Sequence, residues 1–79
     1  MDNKKVIKYT VDGKSQETTE DELTPNQILQ NAGIDPATNY LVEIIGREKK
    51  SFQGDNSPIH MHENMKFISV STSPTPVSR

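Results

Sequence analysis

One short segment of the chain carries the signals of a helix. Thr24 can cap its first turn, Pro25 suits the first helical position, and Gln27 completes a capping box with the cap residue. Ile28 and Leu29 give the helix an apolar face. Because a helix this short is marginal by itself, that face must be held by packing against other elements. The rest of the chain therefore has to supply an apolar surface to cover it.

The chain before the helix predicts a hairpin. Residues 6–11 alternate apolar with polar side chains, which is typical of a strand with one buried face. Asp12-Gly13 follows directly, and this dipeptide tolerates the positive φ angles of a tight hairpin turn. Residues 14–19 then form the second strand, whose nearly uniform polarity predicts a position at the edge of a sheet.

The chain after the helix predicts three more strands. The first is the apolar run over residues 40–45, which we expect to be the central strand. Residues 48–53 predict a short strand with Phe52 directed inward. Residues 65–71 predict the last strand, with Phe67 directed inward. Both aromatic side chains would then join the apolar face of the helix in one core.

The register of the 40–45 strand decides which of its side chains reach that core. Glu43 is a charged residue in the middle of the run, so its side of the strand is predicted to face solvent. Val42 and Ile44 are therefore expected to pack against the helix. Leu41 and Ile45 share the side of Glu43 and are expected to be exposed.

These two exposed residues define a candidate partner-binding surface. If the last strand lies beside the 40–45 strand, Ile68 and Val70 extend the surface formed by Leu41 and Ile45. The alternative is that all four are ordinary semi-exposed sheet positions, or positions covered by the C-terminal tail, because single apolar surface residues need no explanation.

One architecture accommodates these elements. A chain of 79 residues can bury the helix only against one face of a single sheet. We therefore predict an α+β fold of the β-grasp kind, with a mixed four- to five-stranded sheet and one short helix packed on one face. If the first and last strands lie adjacent and parallel at the sheet centre, the chain leaves the domain at one end of the sheet. Residues 5–71 form the domain. Residues 72–79 contain two prolines and small polar residues, and they form an extended C-terminal tail.

Composition argues against several classes of function. The net charge is −2 and the basic residues are scattered, so no basic stripe is available for nucleic acid. No apolar run approaches the roughly 18 residues that a membrane span requires, and cysteine is absent, so we expect a cytoplasmic protein without thiol chemistry. No catalytic triad or phosphate-binding glycine loop is found, which predicts neither an enzyme nor a bound cofactor. His60-Met61-His62-Glu63 lacks further ligands nearby, which favours a solvated loop over a metal site.

Short landmarks spread over residues 6–71 together resemble one protein family. In chain order they are Tyr9-Thr10-Val11-Asp12-Gly13-Lys14, Leu23-Thr24, Ile28-Leu29, Ala32-Gly33, Tyr40-Leu41-Val42 and Phe67. Their order and spacing resemble the bacterial multiubiquitin-domain proteins, which are β-grasp proteins related to ubiquitin. The resemblance implies a ubiquitin-like protein modifier that is conjugated to target proteins through its C-terminus. It also implies three partners: a ubiquitin-activating-like enzyme, a ubiquitin-conjugating-like enzyme and a JAB-type isopeptidase. The operons in which relatives occur suggest a role in antiviral defence.

The predicted tail departs from the pattern of ubiquitin-like modifiers. It ends in Pro76, Val77, Ser78 and Arg79, where classical modifiers end in Gly-Gly. A conjugated tail must place its carboxylate in a narrow channel of the activating enzyme, so these residues either fit a differently shaped channel or are first trimmed. Three alternatives remain open: an unstructured terminus without function, an adaptor that docks through its sheet face without conjugation, and a sulfur carrier. The last is disfavoured because sulfur carriers of this fold also depend on Gly-Gly.

Overall fold

The computed structural model describes residues 5–72 and shows an α+β fold. The elements, in chain order, are β1 (Ile7–Val11), β2 (Lys14–Thr18), β3 (Glu22–Leu23), α1 (Pro25–Asn31), β4 (Asn39–Ile45), β5 (Glu48–Ser51), β6 (Ile59–His60) and β7 (Met65–Ser71). The predicted conjugation residues Pro76, Val77, Ser78 and Arg79 lie outside the described residues.

Five of the strands form one mixed sheet in the order β2-β1-β7-β4-β5. β1 and β7 are parallel neighbours, while the other adjacent pairs are antiparallel. This confirms the predicted mixed sheet, and the adjacent, parallel first and last strands are consistent with a β-grasp-like fold. β4 was expected at the centre, but β7 occupies the middle and β4 lies beside it. β3 and β6 pair in a second, two-stranded sheet that the sequence did not predict.

The hairpin turn and the helix form where the sequence predicts them. Asp12 and Gly13 have φ angles of 54° and 80°, which are the positive values a tight turn requires. At the start of α1, the Thr24 side-chain oxygen accepts a hydrogen bond from the Gln27 N–H at 3.2 Å. The Gln27 side chain in turn accepts one from the Thr24 N–H at 2.9 Å, which completes the capping box. The helix ends before Gly33, whose φ of 78° suits a left-handed stop.

One core lies between α1 and the five-stranded sheet. Ile28 and Leu29 from the helix are almost fully buried in it. Tyr9 and Phe67 meet at its centre as an edge-to-face pair with ring centroids 5.9 Å apart. The complete cluster of buried residues is Ile7, Tyr9, Val11, Leu23, Ile28, Leu29, Leu41, Phe52, Ile59, Met61, Met65 and Phe67. The inward positions predicted for Phe52 and Phe67 are therefore confirmed.

The predicted register of β4 is wrong by one residue. Leu41, expected to be exposed, has 0% of its surface accessible and belongs to the core cluster. Glu43 pairs directly with the core residue Phe67, so side chains on its side of β4 face the helix. Val42 and Ile44 consequently point to the opposite face of the sheet. The helix still packs against β4, but through Leu41.

Candidate protein-docking face

The face of the five-stranded sheet opposite α1, here called the open face, carries an apolar patch. β4 and β7 run antiparallel, and residues paired across them project to the same face. Val42 is paired with Ile68, Tyr40 with Val70, and Ile44 with Lys66. The apolar patch is defined as Tyr40, Val42, Ile44, Ile68 and Val70.

The described elements outside the sheet do not cover this patch. α1, β3 and β6 place their buried side chains, among them Leu23, Ile28 and Ile59, in the core on the other face. Val42 is 6% exposed, while Ile44, Ile68 and Val70 are half-buried. Within residues 5–72, the helix and the small sheet thus lie on the other side of the five-stranded sheet from the apolar patch.

Lysines border the patch on the open face. Ile44 has Lys66 as its partner on β7 and Lys49 as its partner on β5, and both lysines are exposed. Lys8 on β1 projects to the same face, across from Glu17 on β2. A shallow groove of about 400 Å³ runs beside the patch. Its lining residues are Lys8, Tyr9, Thr10, Ser15, Asn64, Met65 and Lys66.

The structure divides the four residues predicted for partner binding between the two faces. Ile68 and Val70 lie on the open face as part of the apolar patch. Leu41 is buried under the helix and is unable to contact a partner in the folded state. Ile45 is 51% exposed but lies at the end of β4 on the side of Leu41.

Sequence reasoning missed three residues of the patch: Tyr40, and also Val42 and Ile44, which replace Leu41 and Ile45. The sequence carried a signal for the last strand but not for the side of β4 that faces outward. The last strand was predicted with Phe67 inward, which sets Ile68 and Val70 outward. Antiparallel pairing with β4 then requires a choice between its two apolar sides, and only the observed pairing of Glu43 with Phe67 decides it.

The base of the hairpin turn is tied to the last strand. The two oxygens of the Asp12 carboxylate accept hydrogen bonds from the Ser69 N–H at 2.8 Å and from the Ser69 hydroxyl at 2.6 Å. The Asp12 N–H donates to the Phe67 carbonyl at 2.9 Å. After the strand, the Thr72 N–H donates to the Thr38 carbonyl at 2.8 Å, so the chain leaves the sheet beside the α1–β4 connection.

Two titratable groups are perturbed by their surroundings. Burial raises the pKa of Tyr9 above its ordinary value, and the neighbouring Asn31 side chain offsets part of this effect. Asp55 lies in the loop after β5, where hydrogen bonding from Ser57 lowers the pKa of its carboxyl group. Neither group belongs to the open face, so neither perturbation bears on the chemistry of the patch.

Other kinds of site receive no support from the described chain. Among residues 5–72, no group of three or more His, Asp or Glu side chains is positioned to hold a metal ion. A second cavity, of about 250 Å³, lies between the start of α1 and the loop after β5 and includes Leu29, Phe52 and Asn56 in its lining. Within the same residues, no helix has the length and apolar character needed to cross a membrane.

No family model, curated protein or solved structure matches this chain.

Proposed function

We propose that this protein is a ubiquitin-like β-grasp modifier that partner proteins bind through the open face of its sheet. The proposal has two parts, recognition of the open face and conjugation through the tail. Recognition is carried by the apolar patch. Conjugation is supported by the resemblance to bacterial multiubiquitin-domain proteins and by the α+β arrangement that fits it.

The apolar patch is the observation that supports recognition. Tyr40, Val42, Ile44, Ile68 and Val70 form a contiguous surface from two adjacent strands. A sheet with one solvated face ordinarily carries polar residues there, so apolar residues in a cluster indicate a surface for another protein. A flat patch without a deep pocket suits a protein segment better than a small molecule.

Selection of short random peptides displayed on phage tests recognition directly. We expect peptides that bind the wild-type protein and lose at least about tenfold in affinity to the double variant Ile44→Ala/Ile68→Ala. Ile45→Ala is the matched control, because it removes the same atoms from the same strand on the opposite face. Peptides that bind the double variant as tightly as the wild type would refute recognition through this face.

The conjugation part depends on the tail. The described chain leaves the sheet after β7, at the hydrogen bond between Thr72 and Thr38, and residues 73–79 follow. In the proposal, the activating and conjugating enzymes bind this tail and join its carboxyl group to target proteins. A JAB-type isopeptidase cleaves that bond and releases the modifier from its target. The enzymes act on the residues Pro76, Val77, Ser78 and Arg79, either as they stand or after trimming.

Expression of an N-terminally tagged chain in its source cells tests conjugation. We expect tagged species of higher mass that persist under denaturing conditions, and mass spectrometry of the branched peptides identifies the joined residue. Deletion of Val77, Ser78 and Arg79 should abolish these adducts while leaving peptide binding to the open face intact. If the wild-type chain forms no adducts but still binds through the patch, it acts as a docking module without conjugation.

A further inference from the structure

The row of residues across the open face at Ile44 has a specific charge pattern. Ile44 stands between Lys66 on β7 and Lys49 on β5. Because adjacent strands lie about 4.8 Å apart, the two lysine backbones are separated by about 10 Å. The lysines are exposed and Ile44 is half-buried. The row therefore presents an apolar floor with a flexible ammonium group on each side.

These two lysines have uncharged cross-strand neighbours. Lys66 is flanked by Thr10 and Ile44, and Lys49 lies on the edge strand β5 with Ile44 as its partner. Within residues 5–72, the strands place one carboxylate on the open face, that of Glu17, which is paired with Lys8. Glu17 lies two strands from Lys66 and its partner Lys8 lies two residues from Thr10, so the backbones of Glu17 and Lys66 are about 12 Å apart. In the loop before β7, the Glu63 carboxylate accepts a hydrogen bond from the Lys8 N–H at 3.4 Å. Carboxylates therefore lie near Lys8, whereas the strands of residues 5–72 pair none with Lys49 or Lys66.

Protection of a sheet edge explains only one of the two positions. Lysines on edge strands discourage pairing with other chains, and Lys49 on β5 fits that role. Lys66 lies on β7, the middle strand of the sheet, which has no free edge. On β7, Lys66 instead provides a charged position on the solvated face of the sheet, directly beside Ile44.

The groove beside the patch extends the same chemistry. Lys66 lies between Ile44 and this groove, which is also lined by Lys8, Thr10, Ser15 and Asn64. Ammonium, hydroxyl and amide groups all donate hydrogen bonds, and a carboxylate accepts them. Lys66, which lines the groove next to Ile44, thus offers an acidic side chain a charged hydrogen-bond donor.

We propose that the partner segment bound by the open face carries an apolar side chain with an acidic side chain on each side of it. This inference rests on the proposed function and specifies the chemistry of its partner. The apolar side chain packs on Ile44 and Ile68, one carboxylate meets Lys49, and the other meets Lys66 at the mouth of the groove. Charge complementarity of this kind sets specificity and speeds association more than it adds affinity.

The phage-displayed random peptides serve as the probe. Selection on the wild-type protein should enrich peptides in which Asp or Glu flanks a Leu, Ile or Phe. For an enriched peptide, the variant Lys49→Glu/Lys66→Glu should lower affinity at least about tenfold, and a peptide with Lys in place of its acids should bind this variant more tightly than wild type. The variant Lys5→Glu/Lys14→Glu makes the same change in net charge away from the open face and should alter affinity less than about threefold.

The outcomes separate this inference from the function on which it rests. Peptides that depend on Ile44 and Ile68, show no acidic bias and bind Lys49→Glu/Lys66→Glu normally would overturn the acidic partner and leave recognition through the face in place. Peptides indifferent to Ile44 and Ile68 would refute the recognition itself. A dimer in sedimentation that dissociates in Ile44→Ala/Ile68→Ala would assign the face to a second copy and also overturn the acidic partner.

Discussion

At the scale of single residues, Tyr9 makes one favourable and one unfavourable contribution to the stability of the fold. Its ring packs edge-to-face on Phe67, which stabilises the core. Its hydroxyl group is buried and has no hydrogen-bond partner within the described residues, although the Asn31 side chain is near enough to influence its pKa. A buried hydroxyl without a partner costs about 1–3 kcal/mol of stability. Tyr9 thus keeps its aromatic contact at the expense of a desolvated polar group.

Tyr9→Phe should raise the free energy of unfolding by about 1 kcal/mol, because it keeps the ring contact and removes the unpaired hydroxyl. It should also change the pH dependence. Burial raises the pKa of Tyr9 in the folded state, so the unfolded chain ionises at lower pH than the folded protein. The free energy of unfolding of the wild type should therefore fall as pH rises above about 10, and that of Tyr9→Phe should lack this fall. Urea unfolding at neutral and alkaline pH measures both effects.

Tyr40→Phe is the control for this experiment, since it removes the hydroxyl of a half-exposed tyrosine on the open face. It should leave the free energy of unfolding at neutral pH within about 0.5 kcal/mol of wild type. If Tyr9→Phe instead loses stability, the Tyr9 hydroxyl has a hydrogen-bond partner and its burial is compensated.

Asp12 does more than form a turn. It adopts a φ of 54°, and its carboxylate receives two hydrogen bonds from Ser69. Asp12→Ala removes both bonds and places a Cβ-bearing residue without a polar side chain at positive φ, so we expect a loss of about 2 kcal/mol in urea unfolding. Asp12→Asn tolerates the same backbone angle and keeps an acceptor, so it should lose about half as much. Equal stability of Asp12→Ala and wild type would contradict a structural role for these bonds.

At the scale of elements, the sequence predicted what is encoded locally. The capping box at Thr24 and Gln27 and the turn at Asp12-Gly13 depend on residues within a few positions of each other, and both form as expected. The register of β4 depends on which strand pairs with it, and both of its sides are apolar. Glu43 indicated the wrong side because it is half-buried on the core face. The same error exchanged Leu41 and Ile45 for Val42 and Ile44 in the candidate site.

Two alanine substitutions distinguish the observed register from the one predicted from sequence. Leu41→Ala should cost about 2–5 kcal/mol, since it leaves a cavity beneath the helix, whereas Ile44→Ala on the open face should cost under about 1.5 kcal/mol. Chemical denaturation of both variants provides the comparison. A larger loss for Ile44→Ala would restore the register with Val42 and Ile44 inward.

At the scale of the whole molecule, the second sheet shows where sequence patterns stop being informative. β3 and β6 are each two residues long. Their pairing joins Glu22 to His60, which lies 38 residues later in the sequence. Strands of this length have no periodicity to detect, so the sequence around His60 predicts a solvated loop. It instead supplies Ile59 and Met61 to the core. The paired sheet thus closes the core next to the helix.

A substitution at Met61 tests whether β3 and β6 unfold together with the five-stranded sheet. The Met61 side chain is 3% exposed within the core cluster, and the Met61 N–H donates to the Asp21 carbonyl at 2.8 Å. Met61→Ala should cost about 2–5 kcal/mol, while the exposed neighbour His62→Ala should cost under about 0.5 kcal/mol. Because all elements share one core, far-ultraviolet circular dichroism and tyrosine fluorescence should report coincident unfolding transitions in Met61→Ala. Separate transitions would show that β3 and β6 open independently of the five-stranded sheet.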